Sequence, residues 1–183
     1  MHRWPVSDIN CMMQYFQFDE RIGDIMGVQA MQIHTGGCQC GAVRFRCEVK
    51  LDTAHICHCR MCQKAFGSFY APLVSTRTET LVWTKAEPKR FRSSNHAQRG
   101  FCGECGTPLT YEAKEGVSIA IGAFDDPAAI VPIKQFGLEA RLGYIGALDD
   151  LPGMTTDDDP DVVALTEKIV TCQHPDAPSP GEG

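Results

Sequence analysis

No apolar run in this 183-residue chain approaches the ~20 residues a membrane-spanning helix needs, so a membrane role is unsupported. The opening MHRWPVSDIN lacks the basic start and continuous apolar stretch of a secretory signal, which makes a reducing cytoplasm the expected location. Helical periodicity is scarce, and there is no internal repeat. Aromatic residues are only 8% and are not interleaved with the basic residues as single-strand nucleic-acid binding requires. What remains, 43% hydrophobic and 22% charged, is the composition of one ordinary globular domain with appended tails.

Charge is uneven along the chain. Residues 38–110 carry 11 basic and 5 acidic side chains, whereas residues 111–183 carry 4 and 14. A locally basic middle favours an anionic small molecule or a nucleic acid, and the acidic end argues against long duplex contacts. The basic run at residues 85–99 reads either as a rim for substrate carboxylates or as a solvated hairpin.

From Ala42 the segment AVRFRCEV alternates apolar and polar residues as a half-buried strand does, putting Val43, Phe45, Cys47 and Val49 on one face. Short-strand character returns in SFYAPLV, ETLVWT, PLTYEA and VSIAIGAF, separated by Gly, Pro or charge. Only RMCQKAF and PDVVALTEKIVTC, the latter entered at Pro160, read as short helices. The expected architecture is mainly β, with a domain over 31–153. Residues 1–30 read as an extension, disordered or upstream of a start at Met31. Residues 154–183 read as an acidic segment with a short helix and a disordered tail.

Cysteine, by contrast, is abundant, and seven of the ten fall into three clusters: GGCQCGAV, CHCRMC and CGECG. In a C-x-C pair on an extended chain both sulfurs face one side and reach one ion. In C-G-x-C-G the glycines permit the tight turn of a zinc knuckle. Cys38, Cys40, Cys102 and Cys105 supply the four ligands of a closed structural zinc site if they meet across the sheet. Cys57, Cys59 and Cys62 then supply three ligands to a second zinc, with the fourth position left to water, a thiol or a side chain. Pairing Cys57 and Cys59 with Cys102 and Cys105 instead would strand Cys62. Closure of the second site by His55, His58 or His96 would make it purely structural. Cys11, Cys47 and Cys172 read as structural.

The segments GGCQCGAVRF, CHCRMCQKAFGSFYA, FCGECGTPLTY, GAFDDPAAI and GLEARLGYIGALDDLPG resemble, in order and near-family spacing, the glutathione-dependent formaldehyde-activating enzymes, a group with centromere-protein-V-like members. The resemblance covers about 31–153. It implies a small, mainly antiparallel β fold of the Mss4-like type with zinc knuckles and few short helices. It also implies two zinc ions per chain, structural on Cys38, Cys40, Cys102 and Cys105, and catalytic in type on Cys57, Cys59 and Cys62. The chain departs from the family pattern at Ala123-Phe124 and at Leu142-Gly143-Tyr144, positions that bear on the substrate cleft.

The implied activity is that of a carbon-sulfur lyase acting on the adduct of a small thiol such as glutathione with an aldehyde such as formaldehyde. Such chemistry needs a thiolate delivered, an oxygen polarised and a proton moved. His55, on the same strand face as Cys57 and Cys59, is the expected acid-base neighbour, while His58 points away and is as well read as a surface residue. Arg60 and Lys64 could attract a carboxylate. Ser68 and Thr107 read as turn residues. The alternative class is a non-enzymatic zinc module for a protein or nucleic-acid partner, with nucleic acid disfavoured by the acidic C-terminal region.

Overall fold

A computed structural model describes residues 32–176; the expectations for residues 1–30 and for the last residues, 177–183, fall outside it. The strands are β1 (Gln32–Gly37), β2 (Arg44–Val49), β3 (His55–Cys57), β4 (Ala71–Thr76), β5 (Val82–Trp83), β6 (Lys89–Arg92), β7 (Ala97–Phe101), β8 (Pro108–Ala113), β9 (Gly116–Ala120) and β10 (Lys134–Phe136). Two α-helices lie among the described residues, α1 (Arg60–Phe66) and α2 (Pro160–Thr166), besides several 3-10 segments, the longest Gly143–Asp150. The architecture is mainly antiparallel β.

One sheet runs β1-β2-β4-β9-β8-β7-β6, with β5 on β2 and β3 on β4. The exception to antiparallel pairing is β10, which runs parallel to β3 with Lys134 opposite His55 and Phe136 opposite Cys57. The alternation read in β2 holds: Val43, Phe45, Cys47 and Val49 are all at or below 2% exposure. Phe45 meets Trp83 and Phe124 edge to face at 5.9 and 5.2 Å, a favoured arrangement for aromatic quadrupoles. Burial pushes the Cys47 thiol up to about 12, which suits a core residue and not a nucleophile.

Pattern reading does not foresee the pairing of Arg44, on the opposite face of β2, with Asp125 at 2.5 Å. Thr35 donates to the same carboxylate at 2.6 Å, tying β1, β2 and the turn after β9 together. Alternation marks Arg44 as solvent-facing, but the chain after β9 folds over it, and a buried guanidinium needs a compensating negative charge, here the Asp125 carboxylate.

The helix entered at Pro160 has its N-cap in Asp159, whose side chain accepts from the Asp161 backbone. It ends at Thr166, short of the periodic stretch. Further on, the His174 backbone donates to the Gln39 carbonyl at 2.7 Å, bringing this end of the chain to the first cysteine pair. Among the described residues, no helix is long and apolar enough to cross a membrane.

Candidate metal centres

The loop between β1 and β2 carries Cys38 and Cys40, and the turn between β7 and β8 carries Cys102 and Cys105. Their four Sγ atoms lie within 4.8 Å of one another, although 62 residues separate Cys40 from Cys102. The Cys38–Cys40 and Cys40–Cys102 sulfurs stand 3.6 and 3.8 Å apart. Four zinc–sulfur bonds of about 2.3 Å in a tetrahedron place sulfurs ~3.8 Å apart, whereas a disulfide requires about 2.05 Å. The donor set therefore fits a tetrahedral metal and excludes cross-linking in this arrangement.

Local backbone supports this group. Val43 N–H donates to Cys38 Sγ at 3.3 Å, and the Glu104 and Cys105 amides donate to Cys102 Sγ at 3.4 and 3.5 Å. Such bonds favour the charged sulfur. Gly106, at φ 79°, supplies the left-handed turn that closes the knuckle. Thr107 is the turn residue its context suggests: its carbonyl accepts from Cys102 N–H at 2.9 Å. Cys105 is the most exposed of the four. Burial raises its thiol, but the Thr107 hydroxyl and neighbouring amides outweigh this and bring it down to about 6.

The second group is assembled by β3 and α1. Cys57 ends the strand, Cys59 is the N-cap of the helix and Cys62 lies in its first turn; all three are at most 3% exposed. Their sulfurs lie within 4.8 Å of one another, and that group includes no fourth His, Cys, Asp or Glu ligand atom among the described residues. Hydrogen bonds from Cys57 and Cys62 hold the Cys59 thiol down to about 3, while Cys57 is pushed up by the same sulfur contacts and by burial. Cys59 is thus the most acidic of the three sulfurs, and a bound cation would displace the protons the group shares.

None of the three histidines weighed as a fourth ligand brings a ring nitrogen into the three-sulfur group. His96 Nε2 stands 3.2 Å from Glu115. His58 is 1% exposed, with Nε2 at 2.8 Å from Gln135 Oε1 and its ring edge-on to Tyr70. This corrects the reading of His58 as a surface residue: β10 covers that side, and the His58 amide donates to the Phe136 carbonyl at 2.8 Å. His55 is 4% exposed, packs against Phe136, and donates from Nδ1 to the Thr53 carbonyl at 2.8 Å, which leaves Nε2 as the basic nitrogen of the neutral ring. Burial lowers its pKa.

Of the basic residues near the second group, Arg60 is exposed and bonds Gln63 at 3.1 Å, and Lys64 is also exposed. From the basic run at 85–99, Arg90 pairs with Glu87 and Glu112 at the sheet edge. Arg99 is different: it is 3% exposed and its Nη2 donates to Cys62 Sγ at 3.3 Å. The alternation in AQRGF, with Ala97 and Arg99 inward and Gln98 outward, carried that information. A second residue missed is Gln63, whose side-chain amide donates to the carbonyls of His58 and Ala140 and clamps α1 to the chain after β10.

Beside Arg99 lies a cleft of about 240 Å³, walled by Phe66, Phe91, Phe101, Pro108 and Thr110. Phe66 also packs against the cluster of Cys57, Cys59 and Cys62. The cleft is therefore next to the three-sulfur group and mostly apolar.

A crystal structure of a Rhodobacter sphaeroides protein aligns with 55% of this chain and 98% of its own length, at 19% identity and a TM-score of 0.47. The family description "Glutathione-dependent formaldehyde-activating enzyme" matches residues 33–139. That span begins in β1 and ends beyond β10, so it takes in all seven clustered cysteines and the strands that bring them together. With more than half of its length so matched, the chain belongs to the glutathione-dependent formaldehyde-activating enzyme family.

Proposed function

We propose that this protein is a carbon-sulfur lyase-type enzyme that makes or breaks the adduct of a small thiol, such as glutathione, with an aldehyde. The observation that carries the reading is the inequality of the two sulfur groups. Cys38, Cys40, Cys102 and Cys105 form a complete tetrahedral set, whereas Cys57, Cys59 and Cys62 form a buried set of three. Two zinc ions per chain would fit, the first structural.

At the second centre a zinc ion would supply acidity to a substrate thiol and polarise the aldehyde oxygen. In the forward direction the substrate sulfur bonds to the aldehyde carbon, the carbon–oxygen double bond opens, and the thiol proton finishes on the new hydroxyl. The reverse reaction returns the same proton to sulfur. His55, held neutral by burial and oriented by the Thr53 carbonyl, is the proposed carrier of that proton. The cleft beside Phe66 would offer an aldehyde mostly apolar walls. Reduced sulfur is required throughout, which accords with a cytoplasmic protein.

The test combines metal analysis with NMR of thiol and aldehyde mixtures. The wild type should hold two zinc ions and accelerate adduct exchange for at least one pair drawn from glutathione or other thiols with formaldehyde or longer aldehydes. Cys59→Ser should hold one zinc, keep its fold and lose the acceleration. If no pair is accelerated by the wild type, the enzymatic reading fails. If Cys59→Ser unfolds the domain, the second centre is structural.

A further inference from the structure

Resting on the reading above, we propose that Arg99 is the positioning residue through which the centre of Cys57, Cys59 and Cys62 accepts an anionic fourth ligand. The guanidinium is held on three sides. Its Nε donates to Ser93 Oγ at 3.0 Å, its Nη2 to Cys62 Sγ at 3.3 Å, and its central carbon lies 5.0 Å from the centre of the Tyr111 ring. No Asp or Glu among the described residues forms an ion pair with it. Its Nη1 is buried and has no hydrogen-bond partner among the described residues.

A guanidinium does not lose its proton in a protein, and a buried one without a counter-charge is costly. The negative charge facing Arg99 is that of the cysteine sulfurs, so the residue and the cluster compensate one another. A dication with three thiolates carries one net negative charge, and a fourth thiolate raises it to two. Placing that second charge among side chains at most 3% exposed is opposed by desolvation, and a fixed cation at Cys62 offsets it. Nη1 adds a donor that the described residues leave unsatisfied. A neutral ligand adds no charge and gains nothing from the guanidinium's field.

The experiment is calorimetric titration of protein loaded with two zinc ions by glutathione, as the anionic thiol, and by imidazole, as the neutral ligand. The sulfur-to-metal absorption band of cobalt-loaded protein reports the same binding. Arg99→Gln is expected to weaken glutathione by at least about tenfold while leaving imidazole affinity unchanged. Arg99→Lys, which keeps the charge and loses the planar fork, is expected to retain most of the preference for glutathione over imidazole. Equal loss for both ligands, or no loss, in Arg99→Gln overturns the proposal. If that variant fails to hold its second metal, Arg99→Lys decides, and a lysine variant without the preference overturns it as well. Wild-type protein that binds no glutathione overturns this role and leaves the proposed function to be decided by the screen of thiol and aldehyde pairs, and wild-type binding unchanged in Arg99→Gln likewise refutes this role alone.

Discussion

Gly137 lies against the backbone of Cys59: a Cβ on this glycine, whose φ is +66°, would stand 2.8 Å from the Cys59 nitrogen. The chain after β10 thus crosses directly over the residue that caps α1, and only a residue without a side chain permits the crossing. The three-sulfur group is therefore held in place by a segment more than 70 residues away in sequence.

Gly137→Ala should accordingly destabilise the fold by at least about 1–2 kcal/mol, the cost of a left-handed non-glycine residue before the clash is counted. The displaced Cys59 should also loosen the second metal. Denaturant titration with metal analysis checks both, and a variant with two tightly held zinc ions and an unchanged midpoint would contradict the placement.

Loss of the ion proposed for the four-sulfur group should unfold the domain. Cys102, one of the four sulfurs, is fully buried and joins the main core, so its ligation and its packing would be lost together in a variant. Cys102→Ser, or prolonged chelation of the wild type, should abolish the cooperative transition in circular dichroism. Retention of a sharp transition would show that the sheet folds without this metal.

Asp125→Ala should be among the most damaging substitutions distant from the sulfur groups. It leaves Arg44, whose side chain is 11% exposed, without its carboxylate and removes the bond from Thr35. Loss of one partner of a buried pair costs about 3–5 kcal/mol. A midpoint shift equivalent to less than about 1 kcal/mol, the range of an exposed ion pair, would contradict the buried geometry.

Acid should weaken the fold in part through His55. Its folded pKa lies below the ordinary 6.5 because burial disfavours the charged ring. The unfolded chain therefore takes up a proton as pH falls through about 6.5 while the folded one resists, so stability is lost from there downward until the folded pKa is passed. His55→Asn, which keeps a donor for the Thr53 carbonyl, should show a smaller drop in denaturation midpoint between pH 7.5 and pH 5 than the wild type. Proton competition for the cysteines is common to both proteins and drops out of the comparison. Equal drops would refute the assignment.

Much of the β architecture was legible because it is written in short-range pattern. Alternation in Val43, Phe45, Cys47 and Val49 predicts the core face of β2, and PLTYEA coincides with β8. The grouping of cysteines was legible for the same reason, since C-x-C and C-G-x-C place two sulfurs together through local geometry alone. The short pairing of β3 with β10 was not, because three-residue strands carry no measurable period.

The sequence by itself determined which sulfurs are neighbours, that a metal rather than a disulfide suits them, and that the chain folds as a small β domain. Only the tertiary structure decided that Cys38 and Cys40 meet Cys102 and Cys105, that β10 buries His58, and that Arg99 turns inward to Cys62 while Arg90 stays at the sheet edge. The physical reason is that burial of a charge depends on what long-range pairing lays over it. Alternation tells which face a residue occupies, and the rest of the chain tells whether that face meets water.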